Sequence, residues 1–241
     1  MLYAGYNSPY GESLTASGFE KKAGINHKEN NIFPYCFACQ KIVFTRGTTS
    51  PNINDHYVHY TYDDSVDPMD YCIESNAGKN NKYLKGLFTD GWTLENGILL
   101  RNEFFKEDNI KRAYIFCLKL CGTGNFPLST FERVIKRADA KNIWSYKNIP
   151  VWVIPYILLL LTDFHESKKD YQFRFILNKP SKLPLQNLWI KNEYNINKIF
   201  SDSGADVRYG SKSIDIDTYL DLSKDTAWLT DSFVNRLLEL E

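Results

Sequence analysis

The densest group of potential metal ligands lies between residues 31 and 76. Cys36 and Cys39 are separated by two residues, and after sixteen more residues His56 and His59 repeat that spacing. Zinc takes four nitrogen or sulfur ligands in a tetrahedron, and a C-x2-C pair on a tight turn offers two thiolates on one side. The intervening KIVFTRG stretch is suited to the first strand of a hairpin. This spacing predicts a zinc site formed by Cys36, Cys39, His56 and His59.

The remaining cysteines leave the identity of one zinc ligand undecided. Cys72 is an alternative ligand that can replace either histidine, or it can pack as a small apolar residue. Cys117 and Cys121 are four residues apart on a predicted helix. We interpret these two as buried core positions and not as a thiol pair.

The order of these residues resembles the zinc finger at the front of CoiA-like competence proteins, over residues 30–85. That pattern is an aromatic residue, C-x2-C, a valine-containing strand, H-aromatic-x-H and a later cysteine. The residues that carry the resemblance are Tyr35, Cys36, Cys39, Ile42, Val43, Phe44, His56, Tyr57, Val58, His59 and Cys72. The resemblance implies a structural zinc module, which a nuclease-like domain often follows in that family.

The same region is also similar to HNH nucleases. Asp55 and His56 match their Asp-His pair, and the segment CIESNAGK, which begins at Cys72, matches their second knuckle. Ser75 stands where the family has its last cysteine, and serine is a poor zinc ligand. This resemblance implies a metal-dependent DNA endonuclease. His56 would be the catalytic general base that activates water, and Asn76 or a nearby side chain would help to hold a catalytic Mg²⁺.

The two resemblances make opposing demands on His56. If His56 binds zinc, the lone pair of its imidazole is used and the side chain cannot act as a free base. If His56 is the base, other residues must complete the zinc site. We favour the structural zinc finger, and the endonuclease remains the alternative.

A second candidate site is the basic face of a helix predicted to begin at Ser129. Ser129 and Glu132 have the spacing of a capping box. The predicted nucleic-acid contacts on this face are Arg133, Lys136, Arg137 and Lys141. Cations with neighbouring aromatic rings can contact phosphates and stack on bases, although an ordinary solvated face is the alternative. We expect the aromatic residues that follow, Trp144 and Tyr146, to be core anchors.

Hydrophobic periodicity predicts an α+β fold. The expected architecture is a small N-terminal Cys/His zinc module, a helical middle, and a strand-rich C-terminal part closed by a helix. We expect an irregular arm over 1–30, a zinc-finger-like module over 31–90 and an α+β domain over 91–241. The predicted elements are helices over 98–121, from 129 and over 226–240, a buried apolar segment over 151–161, and strands over 42–45, 171–177, 185–190, 207–209 and 214–222.

Charge and motifs exclude several classes of protein. The chain has 29 basic and 29 acidic residues, which argues against a protein that wraps nucleic acid non-specifically. Residues 77–199 nevertheless carry a net charge of +9. The sequence contains no P-loop, no dinucleotide-binding glycine motif and no G-x-S-x-G elbow, so these enzyme classes are not expected.

Three functional hypotheses follow from the sequence. The longest apolar run, residues 151–161, is shorter than the ~20 residues of a membrane span, and no signal peptide is evident. We therefore expect a cytoplasmic bacterial or phage-related zinc protein that engages nucleic acid, without a membrane segment. The alternatives are an HNH-like endonuclease that uses Mg²⁺, and a protein-interaction subunit of a larger assembly.

Overall fold

The computed structural model describes residues 1–60, 65–75, 84, 92–178 and 194–241. Helices and antiparallel sheets are both present, which confirms the predicted α+β class. The described helices are α1 (Ala16–Ala23), α2 (Leu94–Phe104), α3 (Glu107–Cys121), α4 (Leu128–Ala140), α5 (Ile154–Leu159), α6 (Ile216–Ser223) and α7 (Asp231–Leu238). The described strands are β1 (Ala4–Tyr6), β2 (Ser13–Leu14), β3 (Pro34–Tyr35), β4 (Phe44–Arg46), β5 (His56–Val58), β6 (Asp163–His165), β7 (Gln172–Asn178), β8 (Asn195–Phe200) and β9 (Asp206–Ser213).

The described strands form three separate antiparallel sheets. The first has the order β2-β1-β3, the second is the β4-β5 hairpin, and the third is the meander β6-β7-β8-β9. In the hairpin Phe44 lies opposite Val58 and Arg46 lies opposite His56. The hairpin is the expected connection between the cysteine pair and the histidine pair, and its first strand begins two residues later than predicted.

The N-terminal segment is more regular than its polar composition suggested. Residues 1–30 contain β1, β2 and α1 in place of an irregular arm. Thr15 caps α1 by accepting a hydrogen bond from the Gly18 backbone N–H. Ala16 and Phe19 are fully buried, so two apolar positions suffice to fix this short helix against the core.

The helical middle is divided differently from the prediction. The single helix expected over 98–121 is two helices, because the chain turns after Phe104 and both Phe104 and Phe105 pack on Trp144. Helix α4 begins at Leu128, with Pro127 as its N-cap and no side-chain capping bond. The capping box predicted at Ser129 does not form, because the helix begins one residue before the serine.

The C-terminal predictions are partly confirmed. Strand β7 matches the predicted strand over 171–177, β9 contains 207–209, and the strand expected over 185–190 lies outside the described residues. The strand predicted over 214–222 is wrong. Asp215 there caps α6, because its carboxylate accepts the backbone N–H and the hydroxyl of Thr218. The closing helix is α7, which is shorter than predicted and capped by Thr230.

The core is centred on the apolar run over 151–161, which is buried as predicted. Trp144 and Tyr146 are core residues, and Cys117 and Cys121 are buried, which confirms both expectations. The same apolar cluster extends from the N-terminal strands to the closing helix. None of the described helices combines the length and the hydropathy that a membrane span requires.

Candidate metal centre

A tight turn after β3 brings the first two cysteines together. The backbone N–H of Cys36 donates to the carbonyl of Lys41 at 2.9 Å, and the N–H of Gln40 donates to the carbonyl of Cys36 at 2.9 Å. Gln40 has a left-handed φ of 58°, which closes the turn. Cys36 and Cys39 therefore project from one loop, as a C-x2-C knuckle requires.

Two other elements supply the remaining candidate ligands. His59 follows β5 directly, at the end of the β4-β5 hairpin. Cys72 follows a short 3-10 turn, Pro68–Asp70, in which the Asp67 carboxylate accepts the backbone N–H of Met69 at 2.8 Å. Three loops from different parts of the chain thus converge on one point.

The four side chains are close enough together to share one metal ion. The sulfurs of Cys36, Cys39 and Cys72 and a ring nitrogen of His59 all lie within 4.8 Å of one another. Cys36 Sγ is 3.7 Å from Cys72 Sγ, and Cys39 Sγ is 3.5 Å from His59 Nε2. With ordinary Zn–S and Zn–N bond lengths, the edges of a tetrahedron are about 3.8 Å between sulfurs and about 3.6 Å between sulfur and nitrogen. The group therefore fits a metal such as zinc.

Ionisation of all three thiols of this group is disfavoured in the absence of a cation. Hydrogen bonding to Cys39 and Cys72, together with burial, raises the pKa of Cys36 well above its ordinary value. The hydrogen bond from Cys36 lowers the pKa of Cys39. At Cys72 the hydrogen bond from Cys36 lowers the pKa, but the bond to Cys39 and burial outweigh it and raise the pKa to about 12. One thiolate is thus favoured among three thiols, and a divalent cation compensates the charge of all three.

His56 lies outside this group. Its Nδ1 is 2.8 Å from the carbonyl of Asn54, and since a carbonyl only accepts, Nδ1 carries the proton. The next residue, Tyr57, is buried and donates its hydroxyl proton to backbone carbonyls of the α1 region, which fixes the strand. Of the sequence-predicted ligands the structure brings together Cys36, Cys39 and His59, and Cys72 takes the position predicted for His56.

The predicted basic face of α4 is divided between surface and interior. Arg133 and Lys136 are exposed, whereas Arg137 and Lys141 are 8% and 2% exposed. Arg137 Nε donates to Asp70 and its Nη2 donates to Asp67, both at 2.6 Å. Lys141 Nζ donates to the carbonyl of Tyr71 at 2.7 Å. Arg137 and Lys141 therefore hold the segment that carries Cys72, and they are not presented to solvent as the sequence suggested.

A groove joins the metal centre to α4. A cavity of about 720 Å³ is bounded by Cys39, His59 and Cys72 on one side and by Ala140 and Lys141 on the other. A second cavity of about 650 Å³ continues it along α4. The residues that line both cavities are Lys41, Val66, Asp70, Ala140 and Lys141.

Comparison of the chain with protein-family models, with curated proteins and with solved structures finds no match. The resemblances to CoiA-like proteins and to HNH nucleases therefore remain predictions. Asn76, which the HNH resemblance assigns to a catalytic Mg²⁺, lies outside the described residues.

Proposed function

We propose that this protein binds nucleic acid through a surface that a structural zinc ion organises. The donor set supports zinc, because three sulfurs and one imidazole are soft or borderline ligands, whereas Mg²⁺ and Ca²⁺ prefer oxygen. The protein itself supplies all four ligands, so no coordination position is left for water or substrate. A closed site of this kind is typical of structural zinc.

The observation that carries the nucleic-acid proposal is the groove beside the metal centre. Three exposed cations line it: Lys41 follows the cysteine knuckle, and Arg133 and Lys136 lie on α4. The cavity along α4 is lined by two acidic side chains, Asp70, which accepts from Arg137, and Glu132, which pairs with Lys136, and by five cationic ones, so positive charge is in excess. The groove thus offers a row of cations to a chain of phosphates.

Aromatic rings at the zinc end of the groove favour a single strand. Tyr35, Tyr60 and Tyr71 line the cavity next to the metal ligands. Tyr60 is 63% exposed, and its ring centroid is 5.2 Å from that of Phe44. Exposed rings beside a cationic groove are the arrangement on which unpaired bases stack. A concave groove also suits one strand better than a duplex.

Reversing two charges of the groove should weaken this binding. We expect Arg133→Glu with Lys136→Glu to lower the affinity for a labelled single-stranded oligonucleotide at least about tenfold, and to flatten the dependence of log K on log salt by about one to two units. Fluorescence anisotropy at several salt concentrations measures both quantities. The matched control is Lys106→Glu with Lys224→Glu, which makes the same charge change at exposed positions outside the groove.

The control variant should bind as the wild type does. If both variants lose affinity equally, net charge and not the groove is responsible. If the wild type binds no DNA or RNA even at low salt, the nucleic-acid proposal is wrong and a protein-interaction role takes its place.

One observation favours the endonuclease as a second candidate. His56 is not part of the Cys36, Cys39, His59 and Cys72 group, so its imidazole is not needed as a zinc ligand there. Under this hypothesis the protein nicks supercoiled plasmid in Mg²⁺, and His56→Ala removes that activity. His165→Ala, which changes an exposed histidine of β6, is the control. Nicking that persists in the His56 variant would exclude His56 as the base.

A further inference from the structure

The end of α4 contacts two of the loops that carry metal ligands. Arg137 binds Asp67 and Asp70, and Lys141 binds the carbonyl of Tyr71, the residue before Cys72. On the other side Asn142 Nδ2 donates to the carbonyl of Phe37 at 3.0 Å. Phe37 lies inside the cysteine knuckle. One helix end therefore touches both the loop of Cys36 and Cys39 and the segment of Cys72.

The cationic and amide side chains that make these contacts are buried, whereas the carboxylates of Asp67 and Asp70 are about half exposed. The Arg137 side chain is 9% exposed, and its Nη1 also donates to Thr162 Oγ1 at 2.7 Å and to the carbonyl of Leu161 at 3.2 Å. Asn142 is 5% exposed, and its Oδ1 accepts a hydrogen bond from the hydroxyl of Tyr10 at 3.1 Å. A buried guanidinium that directs four of its five N–H donors at acceptors on two segments restricts the geometry of those segments.

Lys141 adds a charge to this arrangement. It is 2% exposed and shares the wall of the groove with Cys39, His59 and Cys72. Its Nζ donates to the carbonyl of Tyr71 at 2.7 Å, one residue before Cys72. Three thiolates and one neutral imidazole around Zn²⁺ would leave one net negative charge, which a buried cation beside the site would offset.

We infer that Arg137, Lys141 and Asn142 are positioning residues of the metal centre, which set its affinity for zinc without touching the ion. The inference rests on the zinc centre proposed above. Groups that orient metal ligands commonly change metal affinity by about 10–100-fold when they are removed. The same residues would couple the zinc ion to the groove. Arg137, Lys141 and Asn142 lie in or just after the last turn of α4, and Arg133 and Lys136 lie on that helix.

The test is the zinc affinity of the full-length protein in competition with a chromophoric chelator. We expect Arg137→Met to weaken zinc binding about 10–100-fold, and Arg137→Lys to weaken it less because one cationic donor remains. Arg133→Met is the matched control on the same helix, and it should leave the affinity within about twofold of the wild type. The spectrum of the Co²⁺-substituted protein should also change in Arg137→Met and not in Arg133→Met.

Two further variants keep the test decisive. Leu158→Ala destabilises the buried core away from the ligand loops, and it should lower the unfolding temperature while the zinc affinity stays within about twofold of the wild type. Asp67→Asn removes the negative charge of one partner of Arg137, at a half-exposed position. This variant replaces Arg137→Met in the test if Arg137→Met does not fold. If Asp67→Asn and every folded Arg137 variant bind zinc as tightly as the wild type, the inference is wrong while the zinc centre stands. If the wild type itself binds no zinc, the proposed zinc centre is wrong.

Discussion

We expect that replacing Cys72 with serine removes zinc from the purified protein, whereas replacing His56 with alanine leaves about one zinc ion per chain. The reason is geometric: Cys72 Sγ lies within 4.8 Å of the other three candidate ligand atoms, and His56 is not part of that group. A serine hydroxyl is a much poorer zinc ligand than a thiolate, so only three ligands remain. Elemental analysis of the metal content, normalised to protein concentration, measures the effect.

The control for this pair is a cysteine outside the group. Cys117 is buried in α3 among apolar residues, and Cys117→Ala should retain zinc although it also removes a thiol. Loss of zinc in His56→Ala together with its retention in Cys72→Ser would reverse the assignment. That result would favour the ligand set that the C-x2-C and H-x2-H spacing predicts.

Removal of zinc is expected to unfold the ligand loops and leave the distant core in place. The elements around the site are short, since β3, β4 and β5 have two or three residues each, and isolated strands of this length are not stable. The binding free energy of a structural zinc ion, about 10–16 kcal/mol in small zinc domains, is therefore available as folding free energy of this region. None of the four candidate ligands found among the described residues lies on the sheet formed by β6 to β9.

Hydrogen exchange with and without a chelator measures this difference along the chain. Backbone amides over 34–46, 56–59 and 67–75 should lose protection in the chelated protein, and amides of α3, α5 and β7 should keep theirs. Readdition of zinc should restore the original pattern. Unchanged protection in the ligand loops after complete removal of the metal would show that zinc is not structural here.

The sequence was sufficient for the cysteine knuckle but not for the full ligand set. A C-x2-C pair has a local geometry that its own turn determines, so Cys36 and Cys39 could be found from spacing alone. The choice among His56, His59 and Cys72 depends on how the hairpin and the segment over 65–75 approach the knuckle. That approach is set by tertiary contacts, in particular those of Arg137 with Asp67 and Asp70, which no local pattern reveals.

The basic face of α4 shows a related limit. Val134, Arg137, Ala138 and Lys141 are spaced i, i+3, i+4 and i+7, which places both cations along the apolar stripe of the helix. This spacing indicates that Arg137 and Lys141 are partly buried, whereas their charge alone suggested exposed positions.

The strand predicted over 214–222 was wrong for a different reason. Its alternating pattern is typical of a strand, but the Asp215 side chain caps a helix there. The helix cap therefore determined the structure of this segment, and the two-residue alternation of apolar and polar residues did not.

X-ray absorption at the zinc edge of the purified protein determines whether three thiolates and one imidazole bind a single zinc ion. The geometry of Cys36, Cys39, His59 and Cys72 predicts three sulfur ligands at about 2.3 Å and one nitrogen ligand at about 2.0–2.1 Å. Two sulfur and two nitrogen ligands would contradict this account and would indicate that His56 replaces Cys72. A protein that retains no zinc at all would contradict the proposed metal centre itself.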